Sequence, residues 1–278
     1  MLMNRIVTLC LAFLLVLSAH GQKLKLTVDT PGTLSQQLSS AQNTTSVVLS
    51  GTLDGSDLRA LRSLPHLQTV DLRKVKNLTL PDSSFFGMTH LEQVRLPRHL
   101  QRLGVSAFEG CINLHYVQCP PTLVAIPDRM FFGCMRLDRL DILHSSITHI
   151  GSAAFMQSAI RLMPLPKLLT SIGSLAFAGC DHLERVVLPM WVGSVGSMAF
   201  AHCLRLCSIV VLSDNPPACA ADAFEGLDAC TLHVRHPEFF RDREPWNALR
   251  LSYQAYNGSE LQSFDQTDIN DLKQNLRR

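Results

Sequence analysis

The chain has 278 residues, of which 46% are hydrophobic and 17% charged, and this balance excludes an intrinsically disordered protein. Its 25 Lys and Arg residues nearly cancel its 23 Asp and Glu residues. The resulting formal net charge of +2 gives no electrostatic case for a nucleic-acid ligand or an anionic membrane surface. With 15 Gly and 14 Pro, the composition also excludes collagen-like and low-complexity chains.

Residues 1–21 have the pattern of a secretory signal peptide. Arg5 provides a positive start, residues 6–17 form an apolar run, and small residues follow at positions 19 and 21. Cleavage is therefore predicted before Gln22, which makes the mature protein an exported one. Because a membrane-spanning helix needs roughly 20 apolar residues, this run is too short to span, and no transmembrane segment is predicted in the mature chain.

Phenylalanines recur at a nearly constant spacing beyond residue 80. The separations between consecutive members are 23, 23, 24, 22, 23 and 24 residues, and five of the seven follow an Ala. A fixed period in the range of roughly 20–50 residues is typical of solenoid proteins. We name this set the Phe ladder; its members are Phe85, Phe108, Phe131, Phe155, Phe177, Phe200 and Phe224.

Each repeat contains one short segment with the pattern of a strand. Val94 and Leu96 are apolar while Gln93 and Arg95 between them are polar, which is the two-residue period of a strand with one buried side. A unit of about 23 residues with a single strand cannot bury that side alone, so neighbouring units must stack. The pattern predicts a right-handed coil of such units with a curved, mainly parallel sheet.

Pro and Gly residues mark where each unit turns. A Pro at the end of a strand prevents the ladder from continuing there and directs the chain off the sheet. A Gly suits a tight bend on the far side, where a Cβ atom would crowd the neighbouring backbone. The prolines are Pro97, Pro120, Pro166 and Pro189, and the glycines are Gly104, Gly151, Gly173 and Gly196.

The segment 169–189, LTSIGSLAFAGCDHLERVVLP, resembles the repeat of the BspA-like, treponemal-type leucine-rich repeat proteins. That repeat reads approximately L-x-x-I-G-x-x-A-F-x-x-C-x-x-L-x-x-V-x-L-P. The match covers roughly residues 80–235, with departures at Ser158, which replaces the Cys in a unit one residue shorter, and at Leu227, which also stands in the Cys place. The resemblance implies an α/β repeat fold, a leucine-rich repeat solenoid. It also implies an exported or cell-surface bacterial protein used for binding, with adhesion proposed for some members.

The same resemblance divides the chain into segments. After the signal peptide at 1–21, residues 22–80 are expected to form an N-terminal capping segment and a first irregular repeat. Residues 81–235 would hold the leucine-rich repeats proper. Residues 236–278 would then form a C-terminal closing segment and a tail.

Two interpretations of the cysteines stay open. Cysteines in the repeat place are expected to be small buried thiols, since free Cys is among the most buried residue types. Stacked units lie roughly 5 Å apart, however, so neighbours such as Cys111 and Cys134 have the spacing for a disulfide, and Cys219 with Cys230 is the pair most favoured for oxidation. A 23-residue separation is unlike a zinc framework, and no metal site is predicted. The cysteines beyond residue 21 are Cys111, Cys119, Cys134, Cys180, Cys203, Cys207, Cys219 and Cys230.

Motifs of catalytic sites are missing from the sequence. It contains no H-E-x-x-H, no G-x-S-x-G and no Gly-rich phosphate-binding loop. His202, Cys203 and Cys207 resemble a ligand cluster, but the repeat already explains Cys203. Asp57 and Asp71 are interpreted as a helix-start residue and a strand-surface residue. We therefore predict a non-enzymatic protein that uses no cofactor.

The strand positions between the buried ones form the predicted binding surface. In leucine-rich solenoids these positions line a broad, rigid concave face. We name them the concave row: Thr69, Asp71, Gln93, Arg95, Tyr116, Gln118, Arg139, Asp141, Leu162, Pro164, Arg185, Val187, Ser208 and Val210. Its first half is polar and its second half apolar, although the strand propensity of Val is also a sufficient explanation for the valines. The residues predicted to contact a ligand are Gln93, Arg95, Tyr116, Gln118, Arg139, Asp141, Arg185 and Val187.

A protein ligand is the favoured partner of this surface. Sugar-binding platforms present Trp and Tyr side chains under the sugar ring, and the concave row contains one aromatic residue, Tyr116. The prediction is thus a secreted or cell-surface scaffold for protein interaction or adhesion. The alternative is a glycan-binding accessory protein at the cell surface.

Overall fold

The computed structural model describes residues 21–76, 79–100, 102–142, 146–161, 165–227 and 229–251. Most of the predicted signal peptide and the whole tail after residue 251 lie outside this part. The described chain is a solenoid of parallel strands with a spacing of about 23 residues, as the Phe ladder predicts. In register, for example, Val94 pairs with Val117, and Val117 pairs with Leu140.

Fifteen strands are present in the described residues, and every pairing between them is parallel. In chain order they are β1 (Gln22–Val28), β2 (Thr44–Thr52), β3 (Thr69–Lys76), β4 (Gln93–Arg95), β5 (Tyr116–Gln118), β6 (Ala125–Ile126), β7 (Arg139–Asp141), β8 (His149–Ile150), β9 (Ser171–Ile172), β10 (Arg185–Leu188), β11 (Ser194–Val195), β12 (Ser208–Val211), β13 (Ala218–Cys219), β14 (Thr231–His233) and β15 (Arg250–Leu251).

The strands form three sheets. One has six strands in the order β1-β2-β3-β4-β5-β7, and a second has four in the order β10-β12-β14-β15. The irregular unit around Phe155, in which residues 162–164 are not described, separates these two sheets along the chain. The third sheet has the order β13-β11-β9-β8-β6, and each of its strands is two residues long.

Glycines follow the short strands of the third sheet, where successive turns approach each other closely. A Cβ atom on Gly173 would lie 2.7 Å from the carbonyl carbon of Gly151, and one on Gly104 would lie 2.3 Å from the main-chain nitrogen of Asp82. Atoms cannot approach so closely without a shift of the backbone. The predicted crowding at these glycines is therefore confirmed.

Tight turns, rather than helices, connect the third sheet to the next repeat strand. In these turns the residue two places before the Phe is often left-handed, as at Ser106 (φ 55°) and Arg129 (φ 53°). The main-chain nitrogen of Phe177 donates to the oxygen of Ala199 in the next turn over 2.8 Å, and Phe155 bonds to Ala176 at the same distance. Because these groups bond between turns, they are not available for bonds within a helix.

The Phe ladder forms the centre of the core, as the sequence predicts. All seven rings are buried, and neighbouring rings are stacked. The centroid separation is 5.2 Å between Phe177 and Phe200 and 5.9 Å between Phe200 and Phe224. Trp246 extends the column, with its centroid 5.0 Å from that of Phe224 and its indole nitrogen donating to the oxygen of Pro217.

Two short helices, α1 (Leu34–Leu38) and α2 (Gly55–Ala60), precede the regular repeats. Asp57 lies in the first turn of α2, where it forms a capping box with Asp54. Its buried carboxylate also accepts hydrogen bonds from the main-chain nitrogens of Gly32 (2.8 Å) and Leu34 (2.9 Å). This carboxylate therefore joins the start of α1 to the start of α2. Neither helix, nor any other in the described residues, is long and apolar enough to cross a membrane.

Candidate binding surface

Parallel pairing arranges the first half of the concave row into two columns on the six-stranded sheet. Adjacent strands are about 4.8 Å apart, so the eight positions form a compact block. For Arg139 and Asp141 the structure describes the backbone alone. The first column contains Thr69, Gln93, Tyr116 and Arg139, and the second contains Asp71, Arg95, Gln118 and Asp141.

The described side chains of this block alternate with fully buried ones. Val70, Val94 and Val117, which stand between the two columns, have no exposed surface. The six column side chains on β3, β4 and β5 are half-buried, Tyr116 and Gln118 among them. The predicted inward and outward directions of these strands are thus confirmed, and the block presents polar groups on a rigid backbone.

An ion pair that the sequence did not reveal lies at one end of the block. Arg73 donates from Nη2 to Oδ2 of Asp71 over 2.7 Å and from Nε to Oδ1 over 3.0 Å. The hydrogen bond from Arg73 lowers the pKa of the Asp71 carboxyl, partial burial opposes this effect, and the charge of Arg95 lowers the pKa further. Both partners are two residues apart on β3, so the i, i+2 spacing of opposite charges was the available signal.

The second half of the concave row lies on the four-stranded sheet. Arg185 is in register with Ser208, and Val187 is in register with Val210. The structure corrects one expectation, because Val210 is 2% exposed and offers almost no surface to a ligand. Val187 and His233 flank it in register on the two adjacent strands. The row residues Leu162 and Pro164 lie outside the described residues.

Strands β14 and β15 extend the surface beyond the predicted row. Thr231 and His233 are half-buried on β14, and Arg250 is exposed on β15. Burial lowers the pKa of His233, and the positive charge of Arg185 lowers it further. The buried Leu232 between Thr231 and His233 was the sequence signal for this strand. This strand was difficult to predict because the last unit has one residue fewer between its Phe and its strand than the regular units have.

An exposed apolar cluster, which the sequence reading missed, lies on the turns that follow the strand-end prolines. Leu168 is 53% exposed, Met190 58% and Trp191 61%. Leu168 follows Pro166 by two residues, just as Trp191 follows Pro189, so the two side chains occupy equivalent places in successive units. We name these three residues the apolar edge. The repeat pattern itself was the signal, since polar residues occupy this place in the earlier units at His99 and Thr122.

The repeat cysteines are buried free thiols in the structure. Each donates a hydrogen bond to the main-chain oxygen of a Phe in the preceding turn, for example Cys111 to Phe85 over 3.0 Å. Burial raises the pKa of Cys111 to about 12 and that of Cys180 to about 11. Cys219 lies on β13 of the third sheet, whereas Cys230 directly precedes β14 of the four-stranded sheet, and both are free thiols. The structure therefore does not contain the disulfide that the sequence favoured.

The described part of the chain contains no cluster of side chains that could bind a metal ion. Among these residues, no group of three or more His, Cys, Asp or Glu side chains could hold a metal ion. An open notch of about 540 Å³ lies in this part of the chain. It lies where the unit of Phe155 is one residue short, between Met135 and His182, with Arg136 and Arg161 among its other lining residues. The guanidinium of Arg161 is engaged by Glu184 across the next turn at 3.0 Å.

The stacked parallel strands and the ladder of buried Phe define a leucine-rich repeat solenoid. The model of the BspA-type leucine-rich repeat region matches residues 78–207 in six copies. The repeats of this chain are therefore leucine-rich repeats of the BspA type. A search of curated proteins found no match.

Solved structures of bacterial leucine-rich repeat proteins resemble the chain. A leucine-rich repeat protein from Bacteroides ovatus is 23% identical with a TM-score of 0.55, over 67% of this chain and 48% of that one. A leucine-rich repeat protein from T. pallidum is 28% identical with a TM-score of 0.34, over 51% of this chain and 57% of that one. The chain thus spans about half of the length of the Bacteroides ovatus protein, and the likeness to it supports the solenoid fold.

Proposed function

We propose that the chain is an exported, non-enzymatic scaffold that binds a protein ligand through its concave row. The observation that carries this proposal is the register of the block on the six-stranded sheet. Parallel pairing holds polar side chains of both charge signs in two columns, with a fully buried valine between them on β3, β4 and β5. A rigid backbone of this kind presents a ligand site at little cost in conformational entropy.

The predicted contact residues fit the chemistry of protein interfaces. Arg and Tyr are over-represented among the residues that dominate binding energy, and apolar neighbours help by excluding water. Tyr116 and Arg139 are in-register neighbours on β5 and β7, while Arg185 and Val187 lie on β10. We propose these four as the anchors of the interface, with Gln93, Arg95, Gln118 and Asp141 around them.

The segments that flank the repeats fit the role of caps. A solenoid needs terminal units that cover its core from water. We propose that residues 22–80, with α1 and α2, cap one end, and that Trp246 in the closing segment covers the last ring of the Phe ladder at the other. An exported location follows from the predicted signal peptide.

Affinity capture with alanine variants tests the proposal. The purified chain would capture proteins from host extracellular matrix or from neighbouring bacterial cells, and the captured partner would be titrated against variants. Tyr116→Ala and Arg139→Ala should each weaken binding by more than about 1 kcal/mol, because anchors lose contacts that the rim does not replace. The control is a double variant of exposed residues away from the row, Arg102→Ala with Glu225→Ala, which should bind as the parent does. Equal binding by the Tyr116→Ala, Arg139→Ala double variant would exclude the concave row as the site.

The apolar edge favours the glycan alternative. An exposed indole such as that of Trp191 can stack on the apolar face of a sugar ring, and Met190 beside it is also largely exposed. A glycan array with the parent and Trp191→Ala separates the two functions. Glycan binding that Trp191→Ala abolishes and Tyr116→Ala leaves intact would establish this alternative.

A further inference from the structure

Cys207 and Cys230 directly precede two adjacent strands, β12 and β14. Ser208 of β12 pairs with Thr231 of β14, and the main-chain nitrogen of Thr231 donates to the oxygen of Cys207 over 2.9 Å. The residues directly before this pair are therefore neighbours across the parallel ladder. Neighbours of that kind have Cα atoms roughly 5 Å apart, within the range of about 4.4–6.8 Å that a disulfide requires.

The two thiols differ in their access to solvent. Cys207 is exposed, whereas Cys230 is 2% exposed. Burial raises the pKa of Cys230 to about 12, and the neighbouring Cys207 raises it further. The exposed Cys207 thiol is therefore the one that an oxidant in solution reaches first.

We propose that Cys207 and Cys230 form a disulfide when the folded chain meets a disulfide oxidant such as oxidised glutathione. The exposed thiolate of Cys207 attacks one sulfur of the oxidant and releases one glutathione thiolate, which leaves a mixed disulfide. Cys230, after losing its proton, attacks Sγ of Cys207 and releases the second glutathione. The two cysteines lose two electrons and two protons in total, and the oxidant becomes two thiols.

The reaction requires Sγ of Cys207 to turn from the preceding unit towards Cys230. In the reduced chain, Sγ of Cys207 donates to the oxygen of Glu184 in the preceding unit over 3.4 Å. A thiol is a weak donor, so rotation about the Cα–Cβ bond of Cys207 loses little. The repeat cysteine Cys203 is instead buried, with its thiol on the oxygen of Phe177 at 3.1 Å.

The disulfide would fasten the closing segment to the last regular repeat. It joins the start of β12 to the start of β14, and the closed loop contains β13 and the last ring of the ladder, Phe224. Trp246, which covers that ring, lies beyond the loop in the closing segment. Opening of the C-terminal end of the solenoid would then require either reduction of the bond or unfolding of the loop as a whole.

Peptide mapping provides the direct test. The purified chain is treated with excess oxidised glutathione, its remaining thiols are alkylated in denaturant, and it is cleaved after arginine and before aspartate without reduction. This cleavage separates the three nearby cysteines, because 206–213 contains Cys207, 214–221 contains Cys219 and 228–235 contains Cys230. A linked pair of 206–213 and 228–235 is the expected product. Linkage of Cys207 or Cys230 to any other cysteine, or alkylation of both, would overturn the proposal.

A melting experiment supplies a second readout. Oxidation should raise the melting temperature of the parent by about 5 to 10 °C, the effect expected from closing a loop of this size in a chain of this length. Cys207→Ser should abolish that shift without disturbing the fold, because Cys207 is exposed. Cys219→Ser is the matched control and should keep the shift. A shift that persists in Cys207→Ser would contradict the assignment.

Discussion

The thiol of Cys134 donates a hydrogen bond to the main-chain oxygen of Phe108 in the preceding turn, over 3.1 Å. The same relationship links Cys180 to the oxygen of Phe155 at 3.0 Å. Where a Cys stands three residues after a ladder Phe, it therefore satisfies a carbonyl group of the turn before it. The repeat Cys and the Phe of the preceding turn are thus joined by a hydrogen bond that links successive turns.

The repeat thiols should be unreactive in the folded protein. Cys111, Cys134, Cys180 and Cys203 are all buried, and burial raises the pKa of each. Under reducing conditions near pH 8, alkylation followed by mass spectrometry should label the exposed Cys207 rapidly and these four only after denaturation. Rapid labelling of all four in the native state would show that the buried thiols are not where the structure has them.

Removal of one ring from the middle of the Phe ladder should destabilise the fold strongly. Phe177 is 1% exposed and stacks between Phe155 and Phe200. Phe177→Ala should lower the free energy of unfolding by about 3 to 5 kcal/mol in a denaturant titration. The matched control is Phe239→Ala, since Phe239 is 46% exposed and should cost less than about 1 kcal/mol. Equal losses in the two variants would argue against the ladder as the centre of the core.

Replacement of Asp57 should cost more than replacement of an ordinary helix cap. Asp57→Ala leaves the main-chain nitrogens of Gly32, Leu34 and Asp54 without their acceptor. The expected loss in the free energy of unfolding is about 2 to 4 kcal/mol, because buried donors remain unsatisfied. Ser56→Ala, at an exposed neighbouring position, should cost less than about 1 kcal/mol. A loss for Asp57→Ala no greater than that of Ser56→Ala would disprove the linking role of this carboxylate.

The stability of the protein should rise with pH through the range in which His233 titrates. Burial and Arg185 lower the folded-state pKa of His233 below the ordinary value of 6.5. The unfolded chain therefore binds this proton more readily than the folded chain does, and stability is lost as the pH falls from 6.5 towards the folded-state pKa. Denaturant titrations at several pH values should show this slope in the parent and a smaller one in His233→Gln. An unchanged slope in His233→Gln, or a reduced slope in the exposed control His182→Gln, would contradict the assignment.

Much of the fold was predictable because the repeat restates the same local information seven times. The alternation around Val94 and Val117 determines which side chains point inward, and the glycines before each turn predict the close approach that Gly173 makes. The in-register columns of the concave row follow from the period itself. The form of the turns was less accessible, because hydrogen bonds between turns, such as that from Phe177 to Ala199, involve residues that are distant in sequence.

The sequence by itself determined the period, the buried ladder of Phe and Cys, and the strand positions of the concave row. Only the tertiary structure decided which residues are neighbours where a unit departs from the regular repeat. It buries Val210 between Val187 and His233, separates Cys219 from Cys230 and places Cys230 next to Cys207. The physical reason is that a constant repeat length determines which residues of adjacent units are neighbours. A unit that is one residue longer or shorter changes this register locally. Packing between turns, rather than local pattern, then selects the neighbour.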